Sequence, residues 1–245
     1  MREERLDYGN VRVNVTPRRL LDQPLLPEVA MRNLFLLAIL IILLPALAGC
    51  GGGSSQPFTP SVFVASILSD QPSDGDIAFD PVLNLFTITN GPGTLFFGID
   101  GADPNRPEFR AFLDFPLDGT TGEDVVPINA TILSATLEVF VNEVSFAAIF
   151  PALIDLVVYP VAGLRVADFS SPQLLTQAVD FFPADVGTLV PIDVTLLMRE
   201  AQRLGLADFQ VRFLLDPLAA TGLVGIDDLP AVILTAPLLT VNYTL

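Results

Sequence analysis

The side chains able to do chemistry in this 245-residue chain are carboxylates, arginines and one thiol. There are 28 Asp and Glu against 12 basic residues, every one of them arginine, for a formal charge of −16. Histidine, lysine and tryptophan are absent. Without histidine or lysine there is no Ser-His-Asp or Cys-His nucleophile, no Schiff-base amine, no P-loop and no histidine metal centre. One cysteine excludes an intramolecular disulfide, a four-cysteine metal site and any CxxC motif.

The carboxylates group in two places. Asp70, Asp74, Asp76 and Asp80 lie close together, and Asp100 and Asp103 flank Gly101. Calcium takes six to eight oxygens from carboxylates and carbonyls, so Asp74, Asp76, Asp100 and Asp103 are the candidate ligands of a structural Ca²⁺. Their spacing is not that of an EF-hand. The competing reading is turn chemistry, because Asp side chains bond their own backbone two residues on. Glycoside hydrolysis needs two carboxyls about 5–10 Å apart. Glu138 and Glu143 follow one strand pattern, but one reads as an outward strand residue and the other as a turn residue. No catalytic pair emerges, and the chain is expected not to be an enzyme. Arg110 and Arg212 stand on the polar side of two strand patterns. Each is read as paired with a surface carboxylate, or as a contact for a ligand anion. For sugar binding, the aromatic candidates are the pairs Phe96-Phe97 and Phe181-Phe182, each of which puts one ring on either side of a strand.

The elements that must position these groups begin after a leader. Arg32 is followed by eleven apolar residues, Leu34 to Leu44, then Pro45-Ala46 and Leu47-Ala48-Gly49-Cys50. That is the order of a secretory signal. As a helix, Leu34 to Ala48 spans roughly 22 Å at 1.5 Å per residue, short of a hydrocarbon core of about 30 Å. Leu47-Ala48-Gly49-Cys50 closely resembles the lipobox of bacterial lipoproteins. The resemblance implies cleavage before Cys50, acylation of its thiol, and attachment to a lipid bilayer. Gly51 at the second mature position implies the outer membrane if the host is Gram-negative. Gly51-Gly52-Gly53-Ser54-Ser55 opens a tether over residues 50–60, since Gly/Ser runs behave as flexible coils. Residues 1–30 carry five arginines and three prolines and read as an N-terminal extension outside the fold, with Met31 the expected translation start and residues 31–49 the signal.

Removing residues 1–49, which hold six arginines and five acids, leaves six arginines and 23 acids, a net −17. Nucleic acid is excluded as a partner, because phosphate binding requires a basic footprint. Charge-driven adhesion to anionic lipid is excluded on the same ground. The remaining chain is rich in apolar residues and poor in charge, opposite to the disorder signature.

Its pattern is mostly of period two. Phe109, Leu113 and Phe115 share one face; Leu137, Val139 and Val141 alternate with Thr136 and Glu138, Val211, Phe213 and Leu215 with Gln210, Arg212 and Leu214, and Leu239, Val241 and Tyr243 with Thr240, Asn242 and Thr244, while Phe109, Phe115, Phe140 and Phe213 are read as core residues. These runs read as half-buried strands. Further strands are expected over Val62–Leu68, Leu85–Thr89, Thr94–Ile99, Ile154–Val161, Ala178–Phe182, Leu189–Ile192 and Ala231–Leu234. Val194, Leu197, Met198 and Ala201 fall at helical spacing, with Asp193 or Thr195 as cap and Gly205 to close. About ten strands and one short helix near 194–204 predict an all-β, jelly-roll-like antiparallel β-sandwich over residues 61–245.

Four segments resemble the DNRLRE domain family in order. Phe109-Arg110-Ala111-Phe112-Leu113-Asp114-Phe115-Pro116-Leu117 is similar to its R-x-x-L-x-F-x-L strand. Ile132-Leu133-Ser134-Ala135-Thr136-Leu137-Glu138-Val139 follows its I-x-S-A-x-L-x-L strand. Asp193-Val194-Thr195 matches the step into its short helix, and Pro237-Leu238-Leu239-Thr240-Val241-Asn242-Tyr243 its closing strand. The Asp-Asn-Arg-Leu-Arg-Glu string itself is absent. The resemblance implies a jelly-roll related to carbohydrate-binding modules and an extracytoplasmic role. The expected function is therefore a membrane-anchored, non-catalytic binding module for polysaccharide. The competing expectation is a structural or protein-interaction subunit of the cell envelope.

Overall fold

The computed structural model describes residues 61–91, 93–120, 124–229 and 235–245. Residues 1–30, the signal expected over 31–49 with Leu47, Ala48 and Gly49, the expected lipidation site Cys50, the tether expected over 50–60 and the strand expected over Ala231–Leu234 lie outside the described residues.

Twelve strands and one α-helix are present among the described residues. They are β1 (Phe63–Leu68), β2 (Gly75–Asp80), β3 (Leu85–Asn90), β4 (Gly93–Ile99), β5 (Glu108–Pro116), β6 (Thr131–Ser145), β7 (Phe150–Leu156), β8 (Leu175–Phe181), β9 (Leu189–Asp193), α1 (Thr195–Leu204), β10 (Asp208–Leu215), β11 (Gly222–Asp228) and β12 (Leu238–Thr244). All pairings are antiparallel, in the order β1-β12-β6-β11-β4-β5-β10-β7-β8, with β2 added to β5, β3 to β2 and β9 to β6. The fold is thus all-β, a strongly curled antiparallel sheet with one short helix. Its hinge is the fifteen-residue β6, which pairs with β12 from Thr131 to Glu138 and with β11 from Val141 to Ser145. Register shifts at Gly225/Ile226 and Asn242/Tyr243 sit in those two ladders, and such bulges increase local twist.

The alternation seen in the sequence sets the core. Leu137, Val139, Val141, Val211, Phe213, Leu239 and Val241 are fully buried in one apolar cluster with the inner face of α1. Phe97 lies 5.2–5.5 Å from Phe150, Phe181 and Phe213, an aromatic centre for that cluster. Such close packing forces a glycine at position 98. Its φ is +114°, and a Cβ there would stand 2.2 Å from the Gly222 carbonyl oxygen and 2.8 Å from the Phe150 ring.

The helix runs as the spacing predicts, with Leu197, Met198 and Ala201 buried. Asp193 accepts the Thr195 N–H at 2.9 Å, while the Thr195 hydroxyl turns away to accept the Ala135 N–H. Gly205 closes the helix at φ 68°.

Three elements differ from expectation. β2 was hidden because Asp76 and Asp80 make Gly75–Asp80 look like a turn; Asp76 instead turns inward and accepts the Phe96 N–H at 3.0 Å. β11 was hidden by Gly225 and by Asp227-Asp228, yet all seven of its residues are buried. The strand expected over Ile154–Val161 lies earlier, at Phe150–Leu156. Beyond Leu156 the chain leaves the sheet and crosses its outer face.

Candidate functional site

That crossing segment, residues 157–174, is a strap over the outward side of β5 and β10. A period-two strand pointing Ala111, Leu113 and Phe115 into the main core must point Arg110, Phe112 and Asp114 the other way. Gln210 and Arg212 on β10 share this face, since Gln210 opposes Asp114 and Arg212 opposes Phe112. The strap covers them. Tyr159, Leu164 and Phe169 join Ile77 and Phe112 in a second, smaller apolar cluster. Two arginines pin it. Arg212 donates to the carbonyls of Phe169 at 3.1 Å and Ser171 at 2.9 Å, and pairs with Asp155 at 2.6 Å, both side chains almost fully buried. Arg110 donates to the Phe169 carbonyl at 2.5 Å, pairs with Glu108 at 2.6 Å, and stands over the Phe169 ring at 3.9 Å. The carboxylate-pairing reading of both arginines is what the structure shows, with the added finding that Arg212 is interior.

Beside Arg110 lies a cavity of about 260 Å³, walled by Ile99, Leu214 and Leu215 and rimmed by Glu108, Arg110 and Asp216. Arg110 is engaged with Glu108 and the strap, and one Asp216 oxygen accepts the Leu218 N–H. The remaining carboxylate oxygens of Glu108 and Asp216 are acceptors, so the rim suits a ligand that donates: a hydroxyl or an amine. An apolar wall with a few polar groups at the mouth is the usual form of a small-molecule site.

At the other end of the same strands, acids gather without any base. Asp74, Asp114 and Asp228 are fully buried. Asp74 accepts the Asp114 N–H at 2.7 Å, and Ser69 donates to Asp228. One oxygen of Asp74, one of Asp228 and both of Asp114 have no hydrogen-bond partner of proper geometry, nor has the Tyr159 hydroxyl. The ion pairs among the described residues lie elsewhere, at Glu108, Glu200 and Asp155. Burial therefore dominates. It pushes the Asp114 carboxyl up to about 7, with the Asp208 charge adding and polar contact with Gln210 and Ser73 opposing. It pushes Asp228 up to about 6 against the lowering effect of Ser69 and Gln71. Asp74 is also raised, by burial and then by the Asp228 charge.

The four aspartates proposed as calcium ligands do not converge. Asp74 and Asp76 lie at the start of β2, and Asp76 opposes Ala111. Asp100 binds back to Pro107, and Asp100 and Asp103 each accept an N–H two residues on, from Ala102 and Asn105. Pro107 immediately precedes β5, four residues before Ala111, roughly 13 Å at 3.3 Å per residue. Among the described residues no group of three or more acidic, histidine or cysteine side chains is placed to hold a metal ion. Asp100 and Asp103 thus follow the turn reading, while Asp74 and Asp76 satisfy buried backbone. In the aromatic pairs, Phe97 and Phe181 are core residues; Phe182 is exposed and Phe96 half-buried. Asp155 and the acids Asp114 and Asp228 were not singled out from sequence. An aspartate inside Phe-Leu-Asp-Phe, or closing Val-Gly-Ile-Asp-Asp, was the available signal.

No protein-family model matches the chain, and no curated protein is significantly similar to it.

Proposed function

We propose that this chain is a lipid-anchored extracytoplasmic lipoprotein presenting a non-catalytic β-sandwich module that binds polysaccharide. The observation that carries the reading is Leu47-Ala48-Gly49-Cys50 behind eleven apolar residues, followed within about a dozen residues by the first strand of a folded β-domain. The lipobox resemblance supports acylation of Cys50, and Gly51 supports outer-membrane retention in a Gram-negative host. The four segments similar to DNRLRE domains fall on β5, β6, the β9–α1 step and β12, and support a carbohydrate-binding-like role. The cavity rimmed by Glu108, Arg110 and Asp216 supports a ligand rich in hydroxyl donors.

Two experiments test it. Cys50→Ala should move the protein from the membrane to the soluble fraction; retention of that variant in membranes would overturn the anchor. The full chain, purified in detergent, should bind within a polysaccharide and glycan panel, and Glu108→Gln should weaken that binding. No binding across a broad panel moves the weight to the second reading, a structural or protein-interaction subunit of the envelope. That reading is favoured by the apolar tips Val82, Leu83 and Leu218, which stand exposed in two loops, one after β2 and one after β10.

A further inference from the structure

The end of the domain at which the chain enters is unlike the opposite end in what surrounds it. Strand β1 opens with Phe63 opposite Tyr243, and Tyr243 lies beside Ile132 at the start of β6. Leu245 follows Thr244, which opposes Thr131. The 125–128 loop is bound to this end by the Tyr243 hydroxyl, which donates to the Val125 carbonyl at 3.2 Å, and by Gln202, which donates to the Pro127 carbonyl at 2.6 Å. Ile128 lies against Gly205 at the end of α1. The result is one apolar face: Val62, Val125, Ile128, Leu204 and Leu245 are all exposed there, Ile128 at 73% and Leu245 at 67%. Between the loop and the end of α1 an apolar cavity of about 290 Å³ opens, with Leu117, Val126 and Leu206 in its wall. Exposed apolar patches of this kind mark interaction sites.

We propose that this face rests on the lipid bilayer, with Val125 and Ile128 inserted at the acyl boundary. The proposal rests on the lipid-anchor reading and deepens it. What selects lipid over another occupant is the length of chain ahead of the face. Only the ten residues 51–60, eleven steps of chain, separate an acylated Cys50 from Ser61. Read as a Gly/Ser-type coil, that segment spans roughly 18 Å r.m.s. at 5–6 Å × √n, and no more than about 40 Å fully extended. The face therefore stays at an effective concentration on the order of millimolar against the membrane, enough for a weak interfacial contact to be occupied. The loops after β4 and β10 lie far from it. They adjoin Ser145, which opposes Leu223 and stands at the other end of β6 from Ile132, thirteen residues or a contour of roughly 43 Å at 3.3 Å per residue. Asp118 in the cavity wall and Asp124 beside Val125 border the face, so zwitterionic lipid is the matching surface and anionic lipid opposes docking.

Because the chain has no tryptophan, a single one reports its own surroundings. Ile128→Trp and, as a control, Leu218→Trp are made in the full chain, which is expressed with its leader, purified in detergent and reconstituted into phosphatidylcholine vesicles with brominated acyl chains. The expected result is a blue shift and loss of emission at position 128 and neither at 218. Leu245→Trp reads the same face if the first variant does not fold. Vesicle flotation separates the two ideas. A protein that does not float with vesicles overturns the anchor. A protein that floats while the tryptophan at position 128 keeps full, red-shifted emission overturns the docked face alone. Emission at 128 that is shielded from an aqueous quencher yet untouched by bromolipid places a second copy or another protein there, and also overturns it.

Discussion

Replacing Asp114 by Asn should stabilise the protein at pH 8 and do little at pH 4. The carboxyl is fully buried between Gln210 and the Asp74 loop, with no hydrogen-bond partner of proper geometry for either oxygen. Its unfolded value is 3.8 and its folded value about 7. Between those values the folded state holds a proton that the unfolded state has released, so stability falls as pH rises through the window from about 4 to 7 and stays low above it. At about 1.4 kcal/mol per pH unit the gap amounts to about 4 kcal/mol. Relaxation around the charge reduces it, and about 2–4 kcal/mol is the expected range. Asn keeps the shape and carries no charge, so Asp114→Asn removes this cost without opening a cavity. Urea unfolding followed by far-UV circular dichroism, at steps from pH 4 to 8, gives the difference between the two proteins. That difference should be near zero at pH 4, grow through pH 5–7 and level off in favour of the variant. Asp74 and Asp228 stay in place, so the variant keeps a shallower slope of the same sign. A flat difference across the range, or a variant less stable than the parent at pH 8, would refute the claim that this carboxylate is buried uncompensated.

Two further perturbations test how the strap and core are built. Arg212→Met should cost about 3–5 kcal/mol, because it leaves the Asp155 carboxylate interior with the Thr176 hydroxyl as its remaining donor among the described residues and orphans the strap carbonyls. Adding Asp155→Leu should recover much of that loss, and limited proteolysis should cut residues 160–173 in the single variant before the double; a single-variant cost below about 1 kcal/mol would show the pair to be solvated. Gly98→Ala should cost about 4 kcal/mol or more, seen as a collapse of the urea midpoint, because the new methyl group meets the Gly222 carbonyl and the Phe150 ring in a left-handed backbone conformation. An unchanged midpoint would mean that β4 and β11 can part at low cost.

Much of the fold was legible because period-two alternation needs only neighbours in sequence. Leu137, Val139 and Val141 announced an inner face and α1 announced itself through Leu197, Met198 and Ala201. The two strands that escaped are those in which polar residues enter the interior. Asp76 faces inward because Phe96 N–H needs an acceptor, and Asp227-Asp228 end a buried strand. Inward aspartates break the very pattern used to find strands. Gln210, Arg212 and Leu214 show the same limit from the other side. Their alternation marked a solvent face, yet all three are buried. Gln210 and Arg212 are so because a strap from a distant part of the chain lies over them, Gln210 accepting the Tyr159 N–H and Arg212 donating to the Ser171 carbonyl.

Residue types and their order were enough to exclude nucleophiles that depend on histidine or lysine and histidine metal centres, to predict a β-domain with one short helix, and to assign which side of most strands is apolar. Those are properties of composition and short spacing, fixed before any folding. Which acids meet was decided only in three dimensions. Asp74 and Asp100 are near in sequence and apart in space, whereas Asp74 and Asp228 are at opposite ends of the domain's sequence and share one corner. The cause is antiparallel pairing around a curled sheet. Register brings together residues separated by any length of chain, and a carboxylate's ionisation then follows from its water and its neighbours, neither of which is written in its own segment.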